Sequence, residues 1–444
     1  MSGEAVQVKE ASARYLTKAD APDVPPGYKR TEIGLFPEEW SVSPLAKLSG
    51  FITKGATPTT YGFKWEQRGI LFLRSECVSD NGLDLDQSMF ISSAANESLR
   101  RSEVRDGDIL ITITGNVGRV VLLRGVGSAN INQHIARIRI AAPSVDSGYV
   151  YHFLSQHRVR QTFETITTGQ AYPQISLQQV RQAVVALPPE SEQRAIAEAL
   201  SDVDGLLGAL EALIAKKRAI KQAAMQQLLT GKTRLPGFSG EWETRRLGDI
   251  ASFFKGLGLS KADLSPDGRV RCIHYGELFT TYGERIAEVL NGTDRDGSYA
   301  RSVRNDVLMP TSDVTPTGLA TASCILLSNV ILGGDILVIR APADVLHGEF
   351  LAGAIKVHRS QVMQLVSGTT VFHLYGRDMA NFRFLVPNVE EQTAIANVLF
   401  DMDTEIAALE RRRDKTRGIK QGIMQQLLTG RVRLVKPAPV EAGA

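Results

Sequence analysis

The chain has few cysteines, and none of them lies in a metal-binding or redox spacing. Only Cys77, Cys272 and Cys324 occur among 444 residues, without a CxxC pair. This argues against a disulfide framework and against a zinc site. No apolar run approaches the roughly 18 residues that a membrane span needs. The polar N-terminus holds no apolar segment of signal-peptide length. The sequence therefore predicts a cytoplasmic protein without membrane contact.

A strong excess of one charge sign is also missing. The formal net charge is +3, with 22% charged and 43% hydrophobic residues. Such a composition is ordinary for a globular protein, and the length predicts two or three domains. If nucleic acid is the partner, the positive charge that binds it must be local rather than global.

Catalytic signatures are missing as well. An adenine methyltransferase needs an Asn/Asp-Pro-Pro-aromatic loop, and "LPPE" at 187–190 has only the prolines. The "TGKT" at 230–233 ends like a phosphate loop, but Gln226 stands where that loop needs glycine. The "TSD" at 311–313 has no histidine nearby in the sequence. We therefore predict a protein that is no enzyme by itself and needs no cofactor.

The seven histidines show no HExxH or similar ligand spacing, so we predict no metal site. His152 and His157 are five residues apart on one predicted helix. We expect both at the surface rather than among metal ligands.

What the chain does contain is an internal repeat. The heptapeptide "MQQLLTG" occurs at 225–231 and again at 424–430. Around it, residues 187–235 align without a gap onto 386–434 at an offset of 199, and 26 of the 49 aligned positions are identical. A repeat of this size indicates duplicated architecture.

Each copy of the repeat predicts one long helix. Glu192 and Glu391 place negative charge in the first turn, where the helix dipole favours it. Gly231 and Gly430 follow the last apolar residue, the usual place of a left-handed C-cap. Nearly forty residues at 1.5 Å rise give a rod of about 60 Å.

The apolar residues of both helices follow a spacing close to a heptad, which favours pairing of the helices as a coiled coil. The alternative is two separate amphipathic helices, each packed on its own domain. The predicted seam consists of Ile196, Leu200, Val203, Leu207, Leu210 and Ile214 in the first helix and Ile395, Leu399, Met402, Ile406 and Leu409 in the second.

The segments between the helices correspond more loosely and mix β-like runs with a few helices, as in an α+β domain. "VYHFLSQHRVRQTFETI" and "EFLAGAIKVHRSQVMQLV" each predict a helix at matching places. Because the helices stay alike while the globular regions differ, we expect one shared task for the helices and two distinct targets for the domains. The predicted divisions are a disordered extension (1–26), globular domains (27–186 and 236–385), long helices (187–235 and 386–434) and a tail (435–444).

These features resemble a known family. "LPPESEQRAIAEAL", "IKQAAMQQLLTGKTRL" and "IKQGIMQQLLTGRVRL" are similar to the conserved regions of type I restriction-modification specificity (S) subunits. The resemblance covers nearly the whole chain and departs from the family in the N-terminal extension. It implies two mixed α/β target-recognition domains, separated by two long helices that pair as an antiparallel coiled coil with an internal pseudo-twofold repeat.

The same resemblance implies partners. Each recognition domain would read one half of a bipartite site in double-stranded DNA. The helices would set the gap and dock two modification (adenine-N6 methyltransferase) subunits. Restriction (translocase/endonuclease) subunits would join when cleavage occurs. Two recognition domains held at a fixed separation by the helices require a fixed distance between the two half-sites.

DNA contacts are expected from polar and basic residues in loops that follow strands, since Arg and Lys pair with guanine edges and Asn and Gln with adenine edges. The alternative for each is a solvated loop position. The candidates are Lys54, Arg74, Asn116, Arg119, Asn132, Gln133, Gln170 and Tyr172 in the first domain, and Lys255, Lys261, His274, Tyr275, Thr311, Ser312, Thr315, Thr317, Thr369, Thr370 and His373 in the second.

Two other functions stay open at this point. The chain could be a tandem DNA-binding module that works without a methyltransferase, or a coiled-coil scaffold whose globular domains bind protein. The basic run "RRRDKTRGIK" at 411–420 also has three interpretations: a solvated helix face, a phosphate contact, or a contact with an acidic partner surface, which we favour.

Overall fold

The computed structural model describes residues 24–169, 172–295 and 297–435. Most of the predicted N-terminal extension (1–26), nearly all of the tail (435–444) and the candidate Gln170 therefore lie outside the described residues. The chain divides into two compact units, residues 1–208 with 414–444 and residues 209–413. Each unit thus contains one globular region and a part of both long helices.

The first unit is built around a four-stranded antiparallel sheet in the order β10-β9-β12-β4 and a three-stranded sheet in the order β11-β5-β8. Its strands are β1 (Tyr28–Thr31), β2 (Gly34–Pro37), β3 (Ser41–Pro44), β4 (Ser49–Lys54), β5 (Ile70–Leu73), β6 (Val78–Ser79), β7 (Gly82–Leu83), β8 (Met89–Ile91), β9 (Ile109–Thr112), β10 (Val120–Leu122), β11 (Ala129–Ile131), β12 (Ile135–Ile140) and β13 (Val184–Leu187). Its α-helices are α1 (Leu45–Leu48), α2 (Ser93–Ser98), α3 (Ser147–Leu154), α4 (His157–Thr165), α5 (Leu177–Gln182), the first part of α6 (Glu190–Leu228) and the last part of α11 (Val389–Leu427).

The second unit has a five-stranded sheet in the order β15-β24-β20-β22-β17 and a four-stranded sheet in the order β18-β16-β23-β19. Its strands are β14 (Glu243–Arg246), β15 (Ser252–Lys255), β16 (Val270–Ile273), β17 (Arg285–Ile286), β18 (Gly292–Thr293), β19 (Ala300–Arg301), β20 (Val307–Pro310), β21 (Ser312–Asp313), β22 (Ser323–Ile325), β23 (Ile331–Leu332), β24 (Ile336–Arg340), β25 (Phe372–His373) and β26 (Arg383–Val386). Its α-helices are the last part of α6, α7 (Glu277–Thr280), α8 (Gly348–Val357), α9 (Arg359–Leu365), α10 (Gly376–Met379) and the first part of α11 (Val389–Leu427).

The two globular regions share a similar strand arrangement although their sequences differ. In each, three neighbouring strands of the main sheet pair antiparallel, in the order β4-β12-β9 in the first region and β15-β24-β20 in the second. In each, a short pair is parallel, β5 with β11 and β16 with β23, and the second region has a further parallel pair, β17 with β22. Strands of β-branched and other apolar residues form these sheets, because such side chains pack well on a pleated, buried surface. The predicted mixed α/β class with an internal repeat is confirmed.

The two helices predicted after the sheets are each broken into two. The first is divided into α3 and α4, the second into α8 and α9. His152 and His157 consequently lie on different helices. The prediction that both are surface residues is wrong for His152, which is fully buried, and right for His157. The periodicity of the segment was that of a helix, but it could not show which face would be covered by α6.

The long helices α6 and α11 contain 39 residues each. In the second unit, Lys217 pairs with Glu405 at 2.6 Å and Lys221 with Asp403 at 2.6 Å. Residue numbers rise along α6 while they fall along α11, so the helices are antiparallel there. In the first unit, Lys420, from the basic run, pairs with Asp204 at 2.5 Å.

The seam residues differ in their degree of burial. Half-buried positions are Val203, Leu207, Met402 and Leu409. Exposed charged side chains flank the seam, so the helices present a solvated outer face. The buried seam residues are Ile196, Leu200, Leu210, Ile214, Ile395, Leu399 and Ile406.

The apolar residues of the repeated heptapeptide belong to the domain cores. In the first unit, Leu428 is fully buried in a cluster that also contains Trp40 and Tyr149. In the second unit, Leu229 lies in the cluster around Phe350. The C-terminal copy therefore completes the core of the N-terminal domain, a contact that spans most of the chain.

The glycine that ends the heptapeptide is needed for two reasons. Gly231 and Gly430 have φ values of 68° and 69°, the left-handed region that favours glycine. A Cβ at Gly430 would also lie 2.5 Å from a side-chain carbon of Pro37, and one at Gly231 would lie 3.2 Å from the ring of Trp242. The "TGKT" segment is thus a helix cap packed on an aromatic ring, as predicted from comparing both copies.

Candidate functional site

Three polar segments of the first domain meet at one edge of its main sheet. The amide of Ile113 donates to the carbonyl of His134 at 2.9 Å, and the amide of Gly115 donates to Pro173 at 2.9 Å. Backbone bonds between Thr168 and Gln174 close the third segment. The described loop segments 114–119, 132–134, 167–169 and 172–175 are therefore neighbours, although they come from distant parts of the sequence.

The candidate residues of the first domain differ in how exposed their side chains are. Lys54, Asn116 and Tyr172 are exposed, and 71% of the Tyr172 surface is accessible. A tyrosine so exposed presents an aromatic ring and a hydroxyl to any ligand of this surface. Half-buried Gln133 adjoins them.

Two amide candidates are occupied inside the protein. Asn132 is buried and its Oδ1 accepts from the amide of His134 at 3.1 Å. The Oε1 of Gln133 accepts from the Thr57 hydroxyl at 2.5 Å, while its Nε2 lies 3.1 Å from His134 Nε2. These bonds order the loop between β11 and β12.

The two arginine candidates of the first domain are also held by neighbours. Arg119 Nη2 lies 3.3 Å from Asp80, which also binds Arg160 at 2.6 Å. Arg74 donates from Nε and Nη2 to the carbonyl of Gln87 at 3.3 and 3.2 Å. Both guanidinium groups therefore have protein partners.

In the second domain the equivalent edge brings four candidates together. The amide of Thr311 donates to the carbonyl of Asp335 at 2.9 Å. Ser312 is paired with His373 between β21 and β25. Lys255, at the end of β15, lies 2.7 Å from the Asp335 carboxylate. Lys255 and Thr311 therefore contact Asp335 directly, and the strand pair of Ser312 and His373 begins at the residue after Thr311.

Asp335 itself was not predicted from the sequence. Its hydrogen bond with Lys255, opposed by partial burial, lowers the pKa of its carboxyl group, and the hydroxyl of Thr311 lies 3.3 Å from it. Its φ of 62° is in the left-handed region. The one sequence signal for it is the "GGD" turn at 333–335, in which Asp335 stands directly before a strand rich in β-branched residues.

The remaining candidates of the second domain lie on the surrounding loops. His274 is half-buried, its Nδ1 accepts from the amide of Gly276 at 3.2 Å, and its ring centroid lies 4.5 Å from that of Tyr275. Two large side chains that were not predicted as contacts are exposed in the same domain, Val314 at 72% and Tyr375 at 43%. The exposed candidates are Lys261, Thr315, Thr317, Thr369 and Thr370.

Metal ligands and membrane-spanning helices are both missing from residues 24–169, 172–295 and 297–435. Within these ranges, no group of three or more His, Cys, Asp or Glu side chains is placed to hold a metal ion. No described helix is long and apolar enough to cross a membrane. All three cysteines are free thiols and buried.

Comparison with known proteins gives a consistent picture. The family described as "Type I restriction modification DNA specificity domain" matches residues 37–222 and again 239–416. The type I restriction enzyme MjaVIII specificity subunit of Methanocaldococcus jannaschii is 23% identical over 430 residues, which are 90% of this chain and 94% of that protein. The type I restriction enzyme EcoBI specificity subunit of Escherichia coli is 26% identical over 211 residues, 47% of this chain and 43% of that protein.

Solved structures show the same fold. The type I restriction-modification S subunit from M. genitalium superposes with a TM-score of 0.57 at 15% identity, covering 87% of this chain and 96% of that one. A chain from a study of assembly and conformational transition in a type I restriction-modification system superposes with a TM-score of 0.54 at 16% identity, covering 89% and 99%.

Proposed function

The chain belongs to the type I restriction-modification DNA specificity family, and on this premise we propose that its two globular domains each read one half of a bipartite, gapped DNA site. It is a specificity subunit, the non-catalytic component of such a system. We propose recognition domains at 27–186 and 236–385 and spacer helices at 187–235 and 386–434.

One observation carries the proposal. Two domains of similar strand arrangement bear different polar side chains at the corresponding edge of the main sheet. The first presents Asn116 and Tyr172, the second His373 and a group of threonines. Because amides, hydroxyls and basic groups recognise different base edges and phosphates, the two surfaces favour two different half-sites.

The helices fit the role of a spacer. Each contains 39 residues, which at 1.5 Å rise is about 58 Å. One turn of B-DNA is about 34–36 Å, so the helices are long enough to hold two readers more than one turn apart. A fixed helix length would then set the number of unread base pairs.

The repeat also fits two identical partners. Helical segments that are alike at an offset of 199 residues would offer two matching surfaces. We propose that these surfaces dock two adenine-N6 methyltransferase subunits, and that restriction subunits join the complex for cleavage. The related MjaVIII and EcoBI proteins are named as specificity subunits of restriction enzymes, which supports such an assembly.

Methylome sequencing after co-expression of the full chain with its methyltransferase tests the proposal. We expect adenine methylation at a two-part sequence with a gap of constant length, and no methylation by the chain alone. Methylation at an ungapped palindrome would contradict bipartite reading. Tight, specific DNA binding without any methyltransferase would instead favour a stand-alone DNA-binding module, and no DNA affinity even in the complex would favour a scaffold.

A further inference from the structure

We propose that the Glu-Gln pair at the start of each spacer helix is a two-sided joint. Gln193 and Gln392 fix each recognition domain on its helix, while Glu192 and Glu391 fix the end of the opposite helix. The glutamine side of the joint makes the gap between half-sites strict. This inference rests on the proposed function and assigns positioning residues to it.

The side-chain amide of Gln193 forms three hydrogen bonds inside the first unit. The side chain is 2% exposed. Its Oε1 accepts from the backbone amide of Asp146 at 3.0 Å. Its Nε2 donates to the carbonyls of Pro188 at 2.9 Å and Ser144 at 3.2 Å. One side chain thus joins the helix start to the loop that leads into α3.

Gln392 makes the same three bonds in the second unit. It is fully buried. Its Oε1 accepts from the amide of His347 at 2.8 Å, and its Nε2 donates to Pro387 at 2.9 Å and Val345 at 3.2 Å. The corresponding distances agree within 0.2 Å between the two units.

The partners of both glutamines are backbone groups. Where the first domain has Ser144 and Asp146, the second has Val345 and His347, yet the bonds are unchanged. A joint that binds only the main chain tolerates divergence of the domain it holds. This explains how two domains with different reading surfaces keep one attachment to the helix.

The neighbouring glutamates face a different element. Glu192 is 1% exposed and binds Arg433, which follows the second heptapeptide. Glu391 is fully buried and binds Arg234, which follows the first, and Trp242 Nε1 lies 3.2 Å from it. Adjacent helical residues point about 100° apart at 3.6 residues per turn, so one dipeptide can hold two neighbours.

Rotation of a domain about its helix would break the two hydrogen bonds that join the buried glutamine to the domain loop, those to residues 144 and 146 in the first unit and to 345 and 347 in the second. A buried polar group left without a partner shifts an equilibrium by about tenfold or more. The joint therefore resists the small change of angle that would let a recognition domain reach a half-site displaced by one base pair.

The test uses Gln193→Met and Gln392→Met in the full chain, each co-expressed with the methyltransferase. Methionine has nearly the same length but makes none of the three bonds. We expect methylation at gaps one base pair longer or shorter to rise about tenfold relative to the native gap, with both half-site sequences unchanged. Gln161→Met and Gln364→Met, at exposed positions of α4 and α9, serve as matched controls and should keep the strict gap.

A second variant and a second measurement guard against loss of folding. The carboxyl group of Gln193→Glu, when protonated, can still accept from the amide of Asp146 and donate one hydrogen bond. The rise in methylation at altered gaps should therefore be smaller than in Gln193→Met and larger than in the wild type. Hydrogen exchange of the full chain without partner should be faster in Gln193→Met for the peptide that covers 144–150, and unchanged for the one that covers 345–351.

The outcomes separate the two levels of the proposal. If the gap stays strict in both methionine variants while exchange is faster, the joint does not set the spacing. If a half-site sequence changes, the glutamine acts on the reading loops instead. If exchange is unchanged, the bonds do not hold the loop. Absence of gapped methylation in the wild type would overturn the proposed function, while the exchange experiment would still test the joint.

Discussion

Arg433 holds the carboxylate of Glu192 through two parallel hydrogen bonds, from Nε and Nη2, each 2.6 Å long. Arg234 binds Glu391 in the same way, with both distances 2.5 Å. The positions are exchanged by the repeat, since 433 and 391 are 234 and 192 plus 199. Such reciprocity, in which i contacts j and j contacts i, is the pattern of an isologous dimer interface. Here it is realised within one chain.

We predict that Arg433→Met destabilises the first unit by about 3–5 kcal/mol, because it leaves the buried Glu192 carboxylate without its partner. The Glu192 hydrogen bond raises the pKa of Arg433, as expected for a guanidinium that stabilises this carboxylate. Hydrogen exchange of peptides from the first unit, recorded at increasing urea concentrations, would measure the decrease in the free energy of unfolding. Arg100→Met, at an exposed ion pair with Glu97, is the control, expected to cost less than about 1 kcal/mol. Equal costs for the two variants would refute the prediction.

The core position of the heptapeptide predicts that Leu428→Ala loosens the N-terminal domain, although residue 428 is near the other end of the chain. Loss of a buried leucine side chain costs about 2–5 kcal/mol. Limited proteolysis should then cut first within residues 27–186. The matched variant Leu229→Ala should make residues 236–385 more sensitive to the protease instead. If Leu428→Ala exposed the second domain, the assignment of Leu428 to the first core would be wrong.

His152 predicts a pH dependence of stability. Burial, with Lys420 and Arg124 nearby, lowers the pKa of His152 to about 3, against about 6.5 in an unfolded chain. Below pH 6.5 the unfolded state binds a proton that the folded state does not. The contribution of His152 is therefore complete above pH 6.5 and is lost as the pH falls toward 3, by about 1.4 kcal/mol per pH unit.

Chemical unfolding at pH 6.5 and pH 4.5 would measure this slope. The hydroxyl of Ser201 lies 3.2 Å from His152 Nε2. His152→Gln, which can still bond this hydroxyl, should reduce the slope. Burial also lowers the pKa of His347 and His358, so the difference between wild type and variant is the informative quantity. An unchanged slope in His152→Gln would show that His152 is protonated normally in the folded protein.

If each recognition domain contacts one half-site, substitutions in one domain should change the recognition of one half-site only. Asn116→Ala or Tyr172→Ala should weaken or relax recognition of one half-site, and Thr315→Ala or His373→Ala the other, by about 1–3 kcal/mol for each hydrogen bond to a base that the substitution removes. Methylome sequencing of each variant complex would show it. A variant of the first group that changed the half-site of the second group would contradict the assignment of one half-site to each domain.

The spacer function predicts a change of gap with helix length. Insertion of about seven residues, one heptad, near Ala215 and near Asp414 should lengthen the gap and leave both half-sites unchanged. Insertion into only one helix is the control and should abolish methylation, because it disrupts pairing. Changed half-sites with an unchanged gap would refute the spacer role.

The long helices could be predicted well because their determinants are local. Apolar spacing, first-turn glutamates and the terminal glycines act within a few residues, and the observed α6 and α11 lie inside the predicted ranges. The break between α3 and α4 was not predictable in the same way, since both halves keep helical periodicity. The burial of His152 depends on α6, which is distant in sequence from α3 until the chain folds.

The sequence by itself determined the repeat, the helices, the mixed α/β class and the family, because identity at a constant offset and local periodicity need no knowledge of contacts. Only the tertiary structure decided which polar residues are available. It buried Asn132 and Thr311, and it placed Asp335 beside Lys255, 80 residues away in the sequence. It also gave Gln193 and Gln392 their partners. Hydrogen bonds between distant segments are chosen by packing, and packing is a property of the whole folded unit.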